Sequence, residues 1–479
     1  MRSTTSSGAG GRYSRLSVTD RMMLRVERPS APQHVAGLCV VEAAPLLDAA
    51  GELDLDAIRD RLERRLVRVP ELRRMLRPTP PLCGPPLWVD DPGFSIEHHV
   101  HTVRVPSPGD EAAVLETAER LLRDPLDRSR PLWDLRLLTG LENGRVGLLA
   151  RVHHALVDGL AAIALITAFL DIEAGAADPP ATAWRPAPAP SDRTLLLDNA
   201  HGRLSALGSA LAHPVRTARA LASVAGFAAR LLPGVDAAPR TSLNAPIGSG
   251  RRLRVVRLDL ETAAKVARAH GAKVNDLLLA VVMGGVRELL LGRGESVAGL
   301  DLVIAIPASI RQADEARELG NAVGALYCRI PAGEPDAARR LDLVSAVTRD
   351  AKATQHLSQE GSTLMYGLLG WAAALGLSLE DHQRSINFQV ANVPGPEVPL
   401  YLLGAPIEDV IPITELAGNL TVTVAALSYR GRLTLTVTAD RRSCADVDVL
   451  TDGMRRAWTE LAGDAASLES STPGTRRPT

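Results

Sequence analysis

The chain has 479 residues, a formal net charge of −1, 46% hydrophobic residues and only 3% aromatic residues. This length exceeds one ordinary hydrophobic core and predicts two domains of roughly 150 to 220 residues each. The balanced charge argues against a large nucleic-acid interface, and the hydrophobic content argues against overall disorder. Because aromatic residues are scarce, the core must consist mainly of Leu, Val and Ala.

The four cysteines lie far apart in the sequence, at Cys39, Cys83, Cys328 and Cys444. They form no CxxC pair, so we expect buried free thiols in a reducing compartment. The first fifteen residues are polar and rich in Gly and Ser, which predicts no signal peptide. No apolar run reaches the roughly 18 residues that span a bilayer. We therefore expect a cytoplasmic protein, either free or peripheral at the inner face of the membrane or on lipid droplets.

The first predicted domain, residues 12–174, mixes helices and strands. Helical spacing of apolar residues predicts a helix within residues 54–76, and alternation predicts a strand over residues 94–105. Residues 110–124 predict a second helix that Asp110 opens. Two further strands, "LWDLRLLTG" and "RVGLLARV", flank the turn signal "LENG". The second of these strands leads into a histidine pair, after which "DGLAAIALITAFLDI" predicts a helix.

Residues 175–250 are predicted to form an Ala/Pro-rich connector, and residues 199–235 within it contain no acidic residue. Two interpretations of this basic segment stay open. It is either a connecting helix packed on the body of the protein or an amphipathic segment lying on an anionic membrane or lipid droplet. Pro214 argues against one long helix. The apolar residues on one helical face are Leu204, Leu207, Leu211, Val215 and Ala218, and the basic ones are Arg203, Arg216, Arg219 and Arg230.

The second predicted domain spans residues 251–465 and precedes a disordered tail at residues 466–479. Apolar runs predict strands in "RLRVVRLDL", "LDLVIAIPASI", "ALYCRIP" and "SINFQVANV". The segments "NLTVTVAALSY" and "RLTLTVTAD", separated by "RG", predict a hairpin. The predicted helices lie at residues 261–270, 275–291, 336–357, 364–377 and 445–461. Both domains are thus expected to be α/β.

The segment "HHALVDG", residues 153–159, places two histidines at the end of an apolar strand. Consecutive side chains of a strand point to opposite faces, so one histidine can face a cleft while the other packs behind it. Asp158 would lie near the N-terminus of the following helix. An imidazole with an ordinary pKa of about 6.5 suits a general base near neutral pH. A pair of purely structural histidines is the alternative.

Other chemistries lack their sequence signatures. No HExxH occurs, and no Cys or carboxylate stands near the pair at a metal-ligand spacing. The "HHVH" of residues 98–101 lies in an alternating segment that divides its residues between two faces. No GxSxG elbow, Walker motif or dinucleotide glycine pattern is present. We therefore expect no metal and no resident cofactor, and a base that acts directly on a bound hydroxyl.

The HHxxxDG pattern of residues 153–159 resembles the signature of the CoA-dependent acyltransferase superfamily, which includes chloramphenicol acetyltransferase and the condensation domains of peptide synthetases. Four further segments, in the same order along the chain, resemble the bacterial wax ester synthase/diacylglycerol acyltransferase family. They are "LSVTDRMMLRVERPSAPQHVAGL" from residue 16, "PLWDLRLLTGL" from residue 131, "VNDLLLAVVMGGVR" from residue 274 and "NVPGPEVPLYLLGAPI" from residue 392.

The resemblance implies an α/β fold of two chloramphenicol-acetyltransferase-like domains, with mixed sheets flanked by helices and a tunnel between them. His154 would take the proton from a substrate alcohol as its oxygen attacks an acyl-CoA thioester. His153 would support the site, Asp158 would order the loop, and Gly159 would permit the turn. For Asn275 and Asp276, helix capping is the alternative to a place on the tunnel wall. The residues implied for substrate binding or structure are Gly159, Pro131, Trp133, Asn275, Asp276, Asn392, Pro394 and Gly395.

The resemblance further implies an O-acyltransferase that moves a long-chain fatty acyl group from acyl-CoA to diacylglycerol, to a long-chain alcohol, or to both. The products would be triacylglycerol or wax ester, and acyl-CoA would be a substrate. Two alternatives stay open. One is the same chemistry on a polyketide-type or other specialised-metabolite hydroxyl. The other is a weakly active lipid-droplet coat protein that uses the basic amphipathic segment.

Overall fold

The computed structural model describes residues 13–156, 169–214, 237–309, 323–354 and 379–471. The helices within these ranges are α1 (Val18–Val26), α2 (Leu55–Arg65), α3 (Glu111–Leu121), α4 (Asp192–Ala212), α5 (Leu260–Ala269), α6 (Val274–Gly292), α7 (Ala337–Thr354) and α8 (Val447–Ser471). The strands are β1 (Tyr13–Arg15), β2 (His34–Glu42), β3 (Arg74–Arg77), β4 (Leu87–Asp90), β5 (Val100–Arg104), β6 (Trp133–Thr139), β7 (Arg145–His153), β8 (Arg251–Asp259), β9 (Asp301–Ser309), β10 (Val323–Pro331), β11 (Phe388–Val393), β12 (Tyr401–Leu402), β13 (Ala405–Ile413), β14 (Val422–Tyr429) and β15 (Arg432–Asp440). In these ranges, no helix combines the length and the apolar character that a bilayer crossing requires.

Two six-stranded sheets organise the chain. The first has the strand order β12-β13-β2-β7-β6-β5 and the second the order β10-β9-β11-β14-β15-β8, while β1, β4 and β3 form a small separate sheet. Both large sheets are mixed, because β5 runs parallel to β6 in the first and β11 runs parallel to β9 and β14 in the second. The predicted α/β class with mixed sheets is confirmed.

The first sheet is completed by strands from the C-terminal half of the chain. After β11 the chain leaves the second sheet, and β13 pairs antiparallel with β2 from Ile407 opposite Val41 to Ile413 opposite Ala36. It then returns to the second sheet as β14. The interval 251–465, predicted as one domain, therefore contributes two strands to the sheet of the other half.

Helix α3 joins the two halves from the opposite direction. Its Val114 and Leu115 share an apolar cluster with Leu253 and other residues of β8, an edge strand of the second sheet. The buried carboxylate of Glu119 accepts a hydrogen bond from the Leu253 amide at 2.8 Å. A backbone amide of the edge strand β8 is thus hydrogen-bonded by a side chain from the other half of the chain. This bond sets the position of α3 along β8.

Most predicted elements agree with the fold. Asp110 caps α3 by accepting from the Ala113 amide, the "RG" hairpin is β14–β15, and all four cysteines are buried free thiols. Two predictions need correction. The helix predicted within residues 54–76 ends at Arg65, where 3₁₀ turns begin. The strand predicted from residue 94 starts at Val100, because Ser95 caps a 3₁₀ turn before it. The helices predicted after residue 158 and at residues 364–377 lie outside the described residues.

Candidate active site

The backbone of the histidine pair is fixed by the strands on both sides of β7. The His153 amide donates to the carbonyl of Leu132, just before β6, at 3.0 Å. The His154 amide donates to the carbonyl of Gln33, just before β2, at 2.8 Å. Successive amides thus bond to opposite neighbours, as a strand requires. This arrangement orients both histidines through the main chain.

His153 is fully buried, with 0% of its surface exposed. Its Nδ1 accepts a hydrogen bond from the Ala155 amide at 2.9 Å, so the ring proton of the neutral form resides on Nε2. That Nε2 lies 3.4 Å from Oε1 of Glu27. Burial lowers the pKa of His153 and the nearby Glu27 carboxylate opposes this shift, so the ring is neutral at pH 7. Both nitrogens face protein atoms, as expected for a residue that supports the site, and this role of His153 stays a prediction.

Glu27, which directly follows α1, lies beside the His153 ring and is itself held by two other residues. Its carboxylate accepts hydrogen bonds from the Arg128 guanidinium at 2.8 Å and from the Gln33 amide at 3.1 Å. Burial raises the pKa of Glu27, but interactions with His153, Gln33 and Arg128 outweigh it and bring the pKa to about 2. Glu27 is therefore ionised throughout the physiological range, although only 4% of its side chain is exposed.

His154 keeps 15% of its side chain exposed, and its Nε2 lies 3.8 Å from Oε1 of Glu415. Glu415 stands between β13 and β14, where the chain returns to the second sheet. The second oxygen of its carboxylate accepts from the Thr414 hydroxyl at 3.1 Å. The C-terminal half thus delivers a carboxylate to the accessible histidine of the N-terminal half.

Pro131 and Trp133 lie beside the histidine strand and are buried. The Trp133 indole donates to the Leu72 carbonyl at 2.7 Å, and its ring stacks on His99 at a centroid distance of 4.5 Å. The Pro131 carbonyl accepts from the Trp133 amide at 2.9 Å. These contacts show packing beneath the site. Across the described ranges, no three His, Cys, Asp or Glu side chains are grouped to hold a metal ion.

The predicted Asn-Asp helix and the NVPGP segment meet in the C-terminal half. The Asn392 amide nitrogen donates to Oδ1 of Asn275 at 3.3 Å. Asp276 is buried, and both its carboxylate oxygens are used locally. One caps α6 by accepting from the Lys273 amide at 2.9 Å, and the other accepts from the Thr348 hydroxyl at 2.7 Å. These are the contacts of a helix cap, and a place for Asp276 on the tunnel wall stays a prediction.

Gly395 and Pro394 begin the passage from β11 towards the first sheet. A Cβ on Gly395 would collide with the carbonyl oxygen of Ser428, so the close approach to β14 requires glycine. The Gly395 amide also donates to the Ser428 hydroxyl at 3.2 Å. Pro394 is exposed. Asp158 and Gly159 lie outside the described residues, and their roles stay predictions.

Sequence reasoning missed the two carboxylates that face the histidine pair. Glu27 lies inside the quoted segment that begins at residue 16, but its partner His153 is distant in sequence. Glu415 did carry a signal, because it is the only charged residue over residues 410–429. A lone carboxylate in such a stretch is expensive to bury unless it has a partner.

The chain matches two family descriptions over most of its length. Residues 16–278 match the wax ester synthase/diacylglycerol acyltransferase catalytic domain, and residues 319–462 match the C-terminal domain of the same family. The chain belongs to the wax ester synthase/diacylglycerol acyltransferase family. The resemblance of the five sequence segments is thereby confirmed.

Two relatives of this family come from Mycobacterium tuberculosis strain H37Rv. One, Rv1760, is provisionally named a diacylglycerol O-acyltransferase and is 29% identical over 469 residues, which cover 93% of this chain and 90% of the relative. The other, tgs1, carries the same provisional name and is 30% identical over 417 residues, covering 85% and 88%.

Solved structures show the fold. The wax ester synthase/diacylglycerol acyltransferase of Marinobacter aquaeolei VT8 superposes with a TM-score of 0.68 at 23% identity, covering 95% of this chain and 100% of that chain. The condensation domain of the monacolin K polyketide synthase MokA superposes with a TM-score of 0.58 at 15% identity, covering 96% and 98%. The expected two-domain fold shared with condensation domains is confirmed.

We expect Glu27→Gln to lower the free energy of unfolding by a few kcal/mol at pH 7, since one pKa unit corresponds to about 1.4 kcal/mol. The folded-state pKa of about 2 lies below the ordinary value of 4.5, so the stabilisation is present above about pH 4.5 and is lost as the pH falls towards 2. Urea denaturation of the wild type and of Glu27→Gln should give free energies of unfolding whose difference is largest near pH 7 and decreases towards pH 3.

Glu142→Gln, which changes an exposed turn residue, is the control and should alter stability by less than about 0.5 kcal/mol. If the wild type and Glu27→Gln differ in free energy of unfolding by the same amount from pH 7 to pH 3, Glu27 does not stabilise the fold through its charge.

Proposed function

We propose that this protein is an O-acyltransferase that moves a long-chain fatty acyl group from acyl-CoA to diacylglycerol, to a long-chain alcohol, or to both. The observation that carries the proposal is the asymmetry at the end of β7, where His153 is buried and His154 keeps an exposed edge. Membership of the wax ester synthase/diacylglycerol acyltransferase family supports the reaction class. The names of the mycobacterial relatives support diacylglycerol as an acceptor.

In the proposed reaction, Nε2 of His154 accepts the hydroxyl proton as the alcohol oxygen attacks the thioester carbonyl carbon. The tetrahedral intermediate then collapses, the carbon–sulfur bond breaks, and the imidazolium gives its proton to the CoA thiolate. The products are the ester and CoA, and His154 returns to its neutral form. General base catalysis of this kind contributes roughly 10²- to 10⁴-fold to the rate. This route needs neither a metal nor a resident cofactor.

The neighbouring groups take supporting roles in this proposal. His153, held between the Ala155 amide and Glu27, keeps the end of β7 rigid so that His154 is presented in one orientation. Asp158 has the loop-ordering role that the family resemblance implies for it. The hydrogen-bonded Asn275 and Asn392 contribute polar groups on the side of the second sheet.

We also propose that α4 brings the protein to an anionic lipid surface. The start of this helix packs on the body, since Leu195 is buried and the Asn199 side chain donates to the Leu82 carbonyl at 2.7 Å. Further along, three leucines form a stripe with exposed fractions of 69%, 59% and 75%, namely Leu204, Leu207 and Leu211. Their spacing places them on one helical face. Exposed leucines beside Arg203, in a stretch without acidic residues, fit the boundary between lipid headgroups and acyl chains.

The catalytic proposal is tested by CoA thiol release from palmitoyl-CoA, with dioleoylglycerol and hexadecanol offered in parallel. We expect the wild type to release thiol only when an acceptor is present, and His154→Ala to lose about 10²- to 10⁴-fold of that rate. His101→Ala, which removes a partly exposed histidine from β5, is the matched control and should retain the wild-type rate.

The other outcomes separate the alternatives. No release with either acceptor would overturn the lipid-storage function and favour a specialised-metabolite hydroxyl or a lipid-droplet coat protein. Acceptor-dependent release that survives in His154→Ala would mean that another group is the base.

The lipid-surface proposal is tested by flotation with phosphatidylglycerol vesicles. The triple variant Leu204→Gln, Leu207→Gln and Leu211→Gln should lose most of the vesicle-bound fraction, because glutamine keeps the helix but removes the apolar face. Leu343→Gln, which alters a leucine that is 39% exposed on the separate helix α7, should float like the wild type. Equal flotation of the triple variant and the wild type would overturn the role of α4.

A further inference from the structure

We propose that Glu415 is a positioning residue for the acyl transfer, which acts by stabilising the positive charge that His154 acquires as it takes the proton of the acceptor. The inference rests on the proposed role of His154 as the base. Its structural basis is the separation of 3.8 Å between Nε2 of His154 and Oε1 of Glu415. Both side chains are largely removed from solvent, with exposed fractions of 15% and 10%.

The distance between His154 and Glu415 indicates an electrostatic interaction rather than a hydrogen bond. A hydrogen bond between nitrogen and oxygen normally spans about 2.7 to 3.2 Å, so this contact does not hold the Nε2 position as a donor. Glu415 therefore leaves the Nε2 position available for the role of proton acceptor that the proposed function gives it. Once the proton has arrived, a cation and a carboxylate face each other at short range where little water screens them. The attraction is stronger in the transition state than in the ground state, and such interactions raise kcat.

Contacts to its side chain and to its backbone fix the position of Glu415. The Thr414 hydroxyl donates to Oε2, and the Thr423 hydroxyl of β14 donates to the backbone carbonyl of Glu415 at 3.2 Å. Glu415 also lies two residues after Ile413, the last residue of β13 that pairs with β2 of the first sheet. Since its second oxygen and its backbone are fixed, Oε1 is held towards the imidazole.

The charge of Glu415 also constrains how the substrates lie. A carboxylate repels the oxyanion of the tetrahedral intermediate, so the thioester carbonyl oxygen must point away from Glu415. The acceptor hydroxyl then approaches Nε2 with the developing imidazolium between the carboxylate and the oxyanion. Glu415 thus favours one orientation of attack without forming a bond to either substrate.

The test compares Glu415→Gln and Glu415→Asp in acceptor-dependent release of CoA from palmitoyl-CoA. Glu415→Gln keeps the size of the side chain and removes its charge, and it should lower kcat by about 10- to 100-fold while changing the KM for palmitoyl-CoA by less than about threefold. Glu415→Asp keeps the charge and should retain more of kcat than Glu415→Gln. Glu408→Gln removes a carboxylate of β13 that pairs with Arg145 at 2.7 Å, and it should leave kcat unchanged.

A double-variant cycle separates this role from a merely structural one. If Glu415 acts through His154, Glu415→Gln should cost nothing further in single-turnover measurements on the His154→Ala background. An equal loss on both backgrounds would overturn the inference, as would a raised KM with unchanged kcat. If Glu415→Gln fails to fold, a Glu415→Asp variant that is folded but as inactive as His154→Ala would overturn it.

The cycle also distinguishes this inference from the proposed function beneath it. An active wild type, an inactive His154→Ala and an unchanged Glu415→Gln would overturn the role of Glu415 and leave the base in place. Absence of acceptor-dependent release in the wild type would instead overturn the proposed function, and with it the role of Glu415.

Discussion

Two backbone hydrogen bonds at the end of β7 determine the layout of the candidate active site. The His153 amide bonds to Leu132 on one side, and the His154 amide bonds to Gln33 on the other. Because neighbouring residues of a strand project to opposite faces, this anchoring sends one imidazole into the core and leaves the other with an accessible edge. The fixed main chain keeps the buried ring between the Ala155 amide and the Glu27 carboxylate.

Strand β13, which comes from the C-terminal half of the chain but belongs to the first sheet, positions the C-terminal residues of the site. β13 adds to the first sheet beside β2, so the sheet that carries the histidines depends on residues more than two hundred positions away along the chain. Arg257 of β8 reinforces this docking by pairing with Asp409 of β13 at 2.8 Å and with Glu111 of α3. The segment that leaves β13 then places Glu415 opposite His154. If the two halves separated, the first sheet would lose β12 and β13, and His154 would lose the neighbouring Glu415 carboxylate.

Local chemistry made much of the fold predictable. Asp110 before an apolar helical pattern and the short "RG" turn between alternating strands act over a few residues, and both were predicted correctly. β13 was missed because "APIEDVIPI" places two acidic residues side by side and contains Pro412, which obscures the alternation. The strand is also irregular between Ile407 and Asp409, where the register shifts.

The histidine pair was found because its chemistry lies in consecutive residues, whereas its carboxylates depend on tertiary contacts. Glu27 and Glu415 approach the pair from opposite ends of the chain, and no local periodicity encodes that approach. Asp276 lies in a family segment, and its carboxylate contacts the amide at the start of α6 and the Thr348 hydroxyl, which the sequence alone did not show. Residue type can therefore indicate the chemistry of a site, but burial and contacts assign the role.

The most direct test of the central claim is a crystal structure of the wild-type protein with CoA and hexadecanol bound together, a complex that cannot react. If His154 is the base, the hydroxyl oxygen should lie within about 3.2 Å of its Nε2, and His153 should contact only protein. A hydroxyl oxygen bound beyond hydrogen-bonding reach of His154, with another titratable group beside it, would contradict the account.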